Sequence, residues 1–333
     1  MQAPSGEPFV DVTRGDIVES VHNVAACAGD AKGTIHLQLG DIDTPIFLRS
    51  TAKPFIAAAA IEAGVRDAFG LTMEEIAVMS ASHSGESFHV NAVQSILQKI
   101  GLDASALQCG AHAPYNEVAA EALRVQGIVP SALHNNCSGK HAGILALSAV
   151  MGADPASYLE LEHPAQRMIL AFCARMSDDD PNAWPLGVDG CGIPVYATSL
   201  RKGALAFARF ASLEGIEARD ARALLVVRDA MVSYPEFVGG THTLDTDLMR
   251  VAGGAIACKA GAEGVHGVAA IPQGLGFASK VIDGSSRARG PSTLALLSRL
   301  GVLDAERAAK LDGYARPVVY NRAGRVAGEV RAR

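Results

Sequence analysis

The stretch Ile46-Phe47-Leu48-Arg49-Ser50-Thr51-Ala52-Lys53 reads as a short apolar strand that runs into a Ser-x-x-Lys step and then into a helix. The helix follows from what comes next. Residues 55–61 are wholly apolar and rich in alanine, the strongest helix former. A helix that is apolar all round is buried. On it Ser50 and Lys53 stand three positions apart and share a face. A serine hydroxyl attacks an acyl carbon only when a base takes its proton, and a buried lysine whose pKa is lowered by desolvation is such a base. A serine at a strand-to-helix junction equally fits a plain helix cap, so other segments have to decide.

Upstream, residues 16–26, 34–39 and 45–48 have strand character around a turn at 29–33, which predicts an antiparallel meander. From Lys53 to about 249 helical patterns dominate: 57–63, 91–100, 117–126, 142–151, 165–176 and 220–232. Strand character returns at 255–259, 265–271 and 276–283, followed by a helix at 291–300. A last strand pair, 317–320 and 325–330, flanks Asn321-Arg322-Ala323-Gly324. The expected fold is therefore α+β in one domain, 1–333. A mixed, mostly antiparallel sheet is built from both chain ends, about 8–50 and 254–333, with a helical region of about 53–250 inserted.

The 333 residues are 19% charged and 49% hydrophobic, with 34 glycines, which excludes a disordered chain. A net charge of −6 without any lysine or arginine stripe argues against a nucleic-acid partner. No apolar run reaches membrane-spanning length, and residues 1–8 are polar without a basic-then-apolar order, so a cytoplasmic location and no membrane partner are expected. The six cysteines are scattered and fit a reducing compartment.

Four further clusters carry chemistry. Ser80-Ala81-Ser82-His83-Ser84-Gly85-Glu86 gathers hydroxyls, an imidazole and a carboxylate before a glycine turn, and Ser82 or Ser84 there is a proton relay or nucleophile. Its plain alternative is a loop with a helix cap. His134-Asn135-Asn136-Cys137-Ser138-Gly139-Lys140-His141 is polar and leads into an apolar helix. It lacks the first glycine of a phosphate loop, where His134 stands. Asp189-Gly190-Cys191-Gly192 holds an acid and a thiol in a turn. The thiols of Cys137 and Cys191, with Asp189 or His141 nearby, suit a metal ion, zinc foremost, although a lone free cysteine is usually a small buried hydrophobe. Lys259-Ala260-Gly261-Ala262-Glu263-Gly264 places a lysine at a strand end, a source of positive charge or a second base.

Taken in order, Arg49-Ser50-Thr51-Ala52-Lys53-Pro54, Ala81 to Glu86, Asn135 to His141, Asp189 to Gly192 and Lys259 to Gly264 resemble the class 3, or rhizobial-type, L-asparaginases over nearly the whole chain. The resemblance implies a fold like that of serine β-lactamases and penicillin-binding proteins. It implies two Ser–Lys tandems, Ser50 with Lys53 and Ser82 with Lys259. It also implies a zinc site at Cys137, Lys140 and Cys191 with Asp189 close by, and a homodimer. The expected activity is hydrolysis of L-asparagine to L-aspartate and ammonia. A zwitterionic substrate needs a cation and an acid; the candidates are Arg49, His141, Asn135, Glu86 and Asp189, with Asp245 in the loop after Gly239. A glutaminase, a penicillin-interacting enzyme that would share Ser50 and Lys53, and a zinc-dependent amino-acid-binding protein are the alternatives. Thr241, which echoes the threonine nucleophile of other asparaginase classes, is a third possibility for the attacking group.

Overall fold

The computed structural model describes residues 3–333. The chain divides into two compact units: a sheet unit (Met1–Thr51, Ala197–Gly215 and Asp247–Arg333) and a helical unit (Ala52–Tyr196 and Ile216–Thr246). The strands, in chain order, are β1 (Glu7–Arg14), β2 (Ile17–Asp30), β3 (Ile35–Leu39), β4 (Ile46–Phe47), β5 (Leu186–Val188), β6 (Pro194–Thr198), β7 (Ile256–Ala260), β8 (Val265–Ala270), β9 (Leu275–Val281), β10 (Val318–Tyr320) and β11 (Val326–Ala332).

In the sheet unit the order is β10-β11-β1-β2-β9-β8-β7, with β3 also paired to β2, and every pairing is antiparallel. Both chain ends therefore lie in one sheet, as expected. β1 and β11 pair directly, with Val10 opposite Ala332. The long β2 changes character along its length. Its first half is largely exposed, while residues 24–29 are buried without alternation, the mark of a strand covered on both faces. One cover is the helix Leu200–Ser212, whose Leu200 and Ala204 join Ala25, Cys27, Ile42, Ile46, Val265 and Ala278 in the core. Gly276 lets that helix settle, because a Cβ there would overlap the Ala204 carbonyl oxygen and the Ala208 nitrogen.

Two sequence expectations differ from this. β1 was not anticipated: its buried run 9–13 does not alternate and carries Asp11 and Thr13, so no period-two signal marks it. The segment 45–48 does not continue the meander. Only Ile46–Phe47 is strand, and it pairs with Ala197 and Thr198.

The helical unit is built on the helix Lys53–Glu62, buried from Lys53 through Ala60. Its four alanines let the helices Ser138–Val150, Pro164–Ser177 and Ala218–Ser233 pack around it. Ser138–Val150 is buried from Ser138 to Ser148. A Cβ at Gly139 would overlap the Val78 carbonyl oxygen, so this glycine sets how closely Ser138–Val150 meets Met73–Met79. At the rim Arg175 bridges Glu62 and Asp220, each at 2.9 Å. The short pair β5 and β6, Leu186 opposite Tyr196, interrupts a region expected to be helical. Among the described residues no helix is long and apolar enough to cross a membrane.

Candidate active site

Lys53 enters the first turn of its helix just before Pro54, a residue preorganised for that position. Its side chain is buried, and Nζ lies 2.5 Å from the Ala81 carbonyl oxygen, 2.9 Å from Ser82 Oγ and 3.2 Å from Cys137 Sγ. Burial lowers its pKa, with the negative charge of Cys137 opposing and the positive charge of Lys140 reinforcing the shift. Ser82 is half-buried at the C-terminal exit of Met73–Met79, and its N–H donates to the Val238 carbonyl. The sequence paired Lys53 with Ser50; the structure hydrogen-bonds it to Ser82.

The next residue ties this loop to the cysteine loop. His83 N–H donates to the Asn136 carbonyl, and His83 Nε2 lies 2.8 Å from Ser138 Oγ. Its Nδ1 accepts from the Gly85 N–H at 3.2 Å, which leaves Nε2 as the donor to Ser138. Burial first, and then the charges of His89 and Lys53, hold its imidazole well below the ordinary histidine value.

Cys137 stands at the entrance of the helix Ser138–Val150 and Lys140 in its first turn. Asn135 spans the loop, donating to the Cys109 carbonyl at 2.9 Å and accepting from the Cys137 N–H at 2.8 Å. Cys191 comes from the turn between β5 and β6, where Gly192 N–H donates to the Asp189 carbonyl at 2.8 Å. Lys140 Nζ reaches Cys191 Sγ at 2.8 Å. The interaction with Cys191 pulls the Cys137 thiol well below its usual value, helped by the positive charges of Lys140 and Lys53, and the same interaction pushes Cys191 up. Burial lowers the pKa of Lys140, but the charges of Cys137, Cys191 and Asp189 outweigh it and raise the value. The site thus gathers two cysteine sulfurs and two lysine nitrogens out of water, a buried arrangement that is stable only when its charges are paired.

His141 follows, fully buried, with Nδ1 2.7 Å from Tyr158 Oη. Burial, then the charges of Lys140 and Lys53, push its pKa well below the ordinary value, so the ring is neutral and feels both amines. The sequence carried no signal for Tyr158, which meets His141 from a separate segment.

Glu86 accepts from Ser84 Oγ at 2.7 Å, from Thr241 N–H at 2.8 Å and from Thr241 Oγ1 at 2.8 Å. These bonds outweigh burial and lower its pKa. It lines a cavity of about 710 Å³ with Asn116, His134 and Thr241. Asp245 is buried on the helix Leu244–Ala252.

The helical unit therefore gathers Lys53, Ser82, Cys137, Lys140, His141 and Cys191. Arg49, Ser50 and Lys259 belong to the sheet unit. Ser50 lies in the 3-10 turn Arg49–Ala52. Arg49 has a φ of 53°, a left-handed conformation that is rare for a non-glycine residue. Lys259 is the penultimate residue of β7, buried, with Nζ 2.7 Å from the Ala260 carbonyl oxygen.

Among solved structures, the chain resembles Mglu at 15% identity and a TM-score of 0.38, over 84% of this chain and 67% of that one. Mglu in its tris and glutamate form is similar at 14% identity and a TM-score of 0.41, over 89% and 63% of the two chains. A Bacteroides dorei DSM 17855 protein assigned as a beta-lactamase is similar at 14% identity and a TM-score of 0.39, over 77% and 84%. The chain thus spans about two thirds of the length of Mglu. A comparison with curated proteins gave no match. The family model described as L-asparaginase II matches residues 10–332, and with nearly its whole length so matched the chain belongs to the L-asparaginase II family, hydrolases of amide bonds.

Proposed function

We propose that this protein hydrolyses L-asparagine to L-aspartate and ammonia through an acyl-enzyme, as a member of the class 3, rhizobial type. The observation that carries the reading is the buried amine of Lys53 set 2.9 Å from Ser82 Oγ. A neutral lysine has two N–H bonds and one lone pair. The N–H bonds suit the Ala81 carbonyl and Cys137 Sγ, and the lone pair then faces the Ser82 hydroxyl. Burial favours that neutral form.

In this reading Ser82 Oγ attacks the side-chain amide carbon while its proton passes to Lys53 Nζ. Collapse of the tetrahedral intermediate breaks the C–N bond, and the same proton leaves with ammonia. A water then gives a proton to Lys53, attacks the ester and releases aspartate, and Ser82 regains its proton. A second reading makes Ser50 the nucleophile, favoured by the left-handed Arg49 immediately before it.

The donors at Cys137, Lys140 and Cys191 suit a zinc ion. Two buried sulfurs and one buried nitrogen, with Lys140 Nζ 2.8 Å from Cys191 Sγ, match the ligand types that zinc takes. Lys140 would have to lose its proton to bind it. When bound, zinc would supply positive charge that orients the substrate. Cys137 and Cys191 would hold it, and serine remains the nucleophile. A glutaminase with the same chemistry differs by one methylene in the pocket, worth about 1–3 kcal/mol of discrimination.

The test is ammonia release from L-asparagine and from L-glutamine by the wild type, Ser82→Ala and Ser50→Ala. Loss in the first variant with activity kept in the second supports the Ser82 route, and the reverse pattern supports Ser50. Bound asparagine with no ammonia from the wild type rejects the hydrolase reading.

A further inference from the structure

We infer that His141 is a catalytic residue, its Nε2–H donating to the substrate oxygen that gathers negative charge, and that Tyr158 is the positioning residue that keeps the proton on Nε2. The inference rests on the amidohydrolase reading above and adds to it the group that stabilises the developing oxyanion.

The argument starts at Tyr158, which is fully buried. Its hydroxyl oxygen accepts from the Gln108 N–H at 2.8 Å and lies 2.7 Å from His141 Nδ1. A buried phenol has one proton to place. Were Nδ1 protonated, two donors would point at the phenol oxygen and its own proton would have no acceptor. The phenol therefore donates to Nδ1, and the imidazole proton sits on Nε2. The chain of bonds runs one way, from the Gln108 backbone through Tyr158 to His141. Tyr158 is itself held, since Gln166 Nε2 donates to its carbonyl at 2.7 Å and Gln108 Nε2 to the Ala156 carbonyl at 2.9 Å. The tyrosine and histidine rings meet edge to face, with centroids 5.5 Å apart.

The Nε2–H so created is buried and has no hydrogen-bond partner among the described residues. A protein builds a rigid relay to an unmet donor when something else arrives to accept the bond. His141 follows Lys140 in the first turn of the helix Ser138–Val150, and its N–H bonds to the Cys137 carbonyl at 3.0 Å. The donor is thus mounted on the turn that carries two of the candidate zinc ligands. A fixed N–H in a buried setting is what an amide oxygen needs as it becomes an oxyanion, and such a donor strengthens its bond only as charge develops.

Two variants separate this role from a structural one. The amide nitrogen of glutamine falls near the position of imidazole Nε2, whereas asparagine reaches only the Nδ1 position and can still accept from Tyr158. The experiment measures kcat and KM for ammonia release from L-asparagine by the wild type, His141→Gln, His141→Asn and Tyr158→Phe. It adds zinc content and the ¹⁵N resonances of the His141 ring in the wild type and Tyr158→Phe. The expected result is a kcat about 10²-fold lower in His141→Asn, within about tenfold of wild type in His141→Gln, and KM and zinc content little changed in both. In Tyr158→Phe the ring resonances should shift from an Nε2-protonated tautomer toward a mixture, with kcat reduced several-fold. Asparagine performing as well as glutamine, or a wild-type ring protonated on Nδ1, overturns the inference while ammonia release by the wild type leaves the amidohydrolase reading intact. No ammonia from the wild type means that the amidohydrolase reading itself has failed, and the inference falls with it.

Discussion

Lys53 Nζ and Ser82 Oγ stand 2.9 Å apart although 29 residues separate them in the chain. The helix Lys53–Glu62 supplies the amine, and the loop that leaves Met73–Met79 supplies the hydroxyl. Because the amine is buried, its role as a base and its role in packing can be separated by substitution. Lys53→Met keeps the length and apolar stem of the side chain but removes the proton acceptor. Ammonia release should fall by about 10²- to 10⁴-fold. Circular dichroism should show the fold retained, and wild-type turnover by Lys53→Met would exclude Lys53 as the base.

The thiol pair makes a prediction about metal. Cys137→Ser and Cys191→Ser each remove one sulfur from the set around Lys140. Atomic emission should find about one zinc per wild-type chain and markedly less in either variant. KM for asparagine should rise more than kcat falls, because the metal is assigned to orientation. Full zinc content in both serine variants, or a loss confined to kcat, would refute that assignment.

Acid should weaken the fold through a buried histidine pair. His89 donates Nε2–H to the Glu236 carbonyl at 2.8 Å, while its buried Nδ1 has no partner among the described residues. Burial holds its pKa down to about 4, and it stacks on His83, whose pKa burial also lowers, with centroids 4.8 Å apart. Both rings bind protons more readily in the unfolded chain, whose histidines titrate near 6.5. Their contribution to stability is complete above that pH and is lost as pH falls toward the folded value. Between pH 7 and pH 5, His89 alone should remove roughly 2 kcal/mol of unfolding free energy. Urea denaturation at both values checks this, and His89→Gln should flatten the dependence. A wild type equally stable at pH 7 and pH 5 would contradict it.

Glycine geometry yields a contrast between neighbours. A Cβ at Gly139 meets the fixed Val78 carbonyl, whereas one at Gly143 meets the flexible end of Met79. Gly139→Ala should therefore cost about 2–3 kcal/mol, since backbone has to move. It should also lower activity by shifting Cys137 and Lys140. Gly143→Ala should cost less than about 1 kcal/mol, because a methionine end can turn aside while alanine favours the helix. Thermal melts of the two variants side by side decide the point, and equal melting temperatures would show that the close approach is not rigid.

Several features could be read in the linear chain because their causes are local. The alanine-rich run after Lys53, the glycine-punctuated polar clusters and the return of strand character after Gly253 each state their conformation in consecutive residues. The buried helix, the sheet from both chain ends and the loops that hold Ser82, Cys137 and Cys191 followed from them. β1 escaped because its buried run does not alternate, and β5 and β6 because three to five residues carry too little pattern.

The sequence by itself determined which residue types were available for chemistry and on which helices and loops they sit, since helix propensity, turn chemistry and apolar runs act over a few residues. The tertiary structure alone decided that Lys53 Nζ meets Ser82 Oγ, that Lys140 Nζ meets Cys191 Sγ, that Thr241 braces Glu86 and that Tyr158 Oη meets His141 Nδ1. Each of those depends on a distance between segments far apart in the chain. Such distances are fixed by how closely helices pack, here by the bare surface of Gly139 against Val78, and by burial, which shifts the proton affinities of groups whose identities were already written.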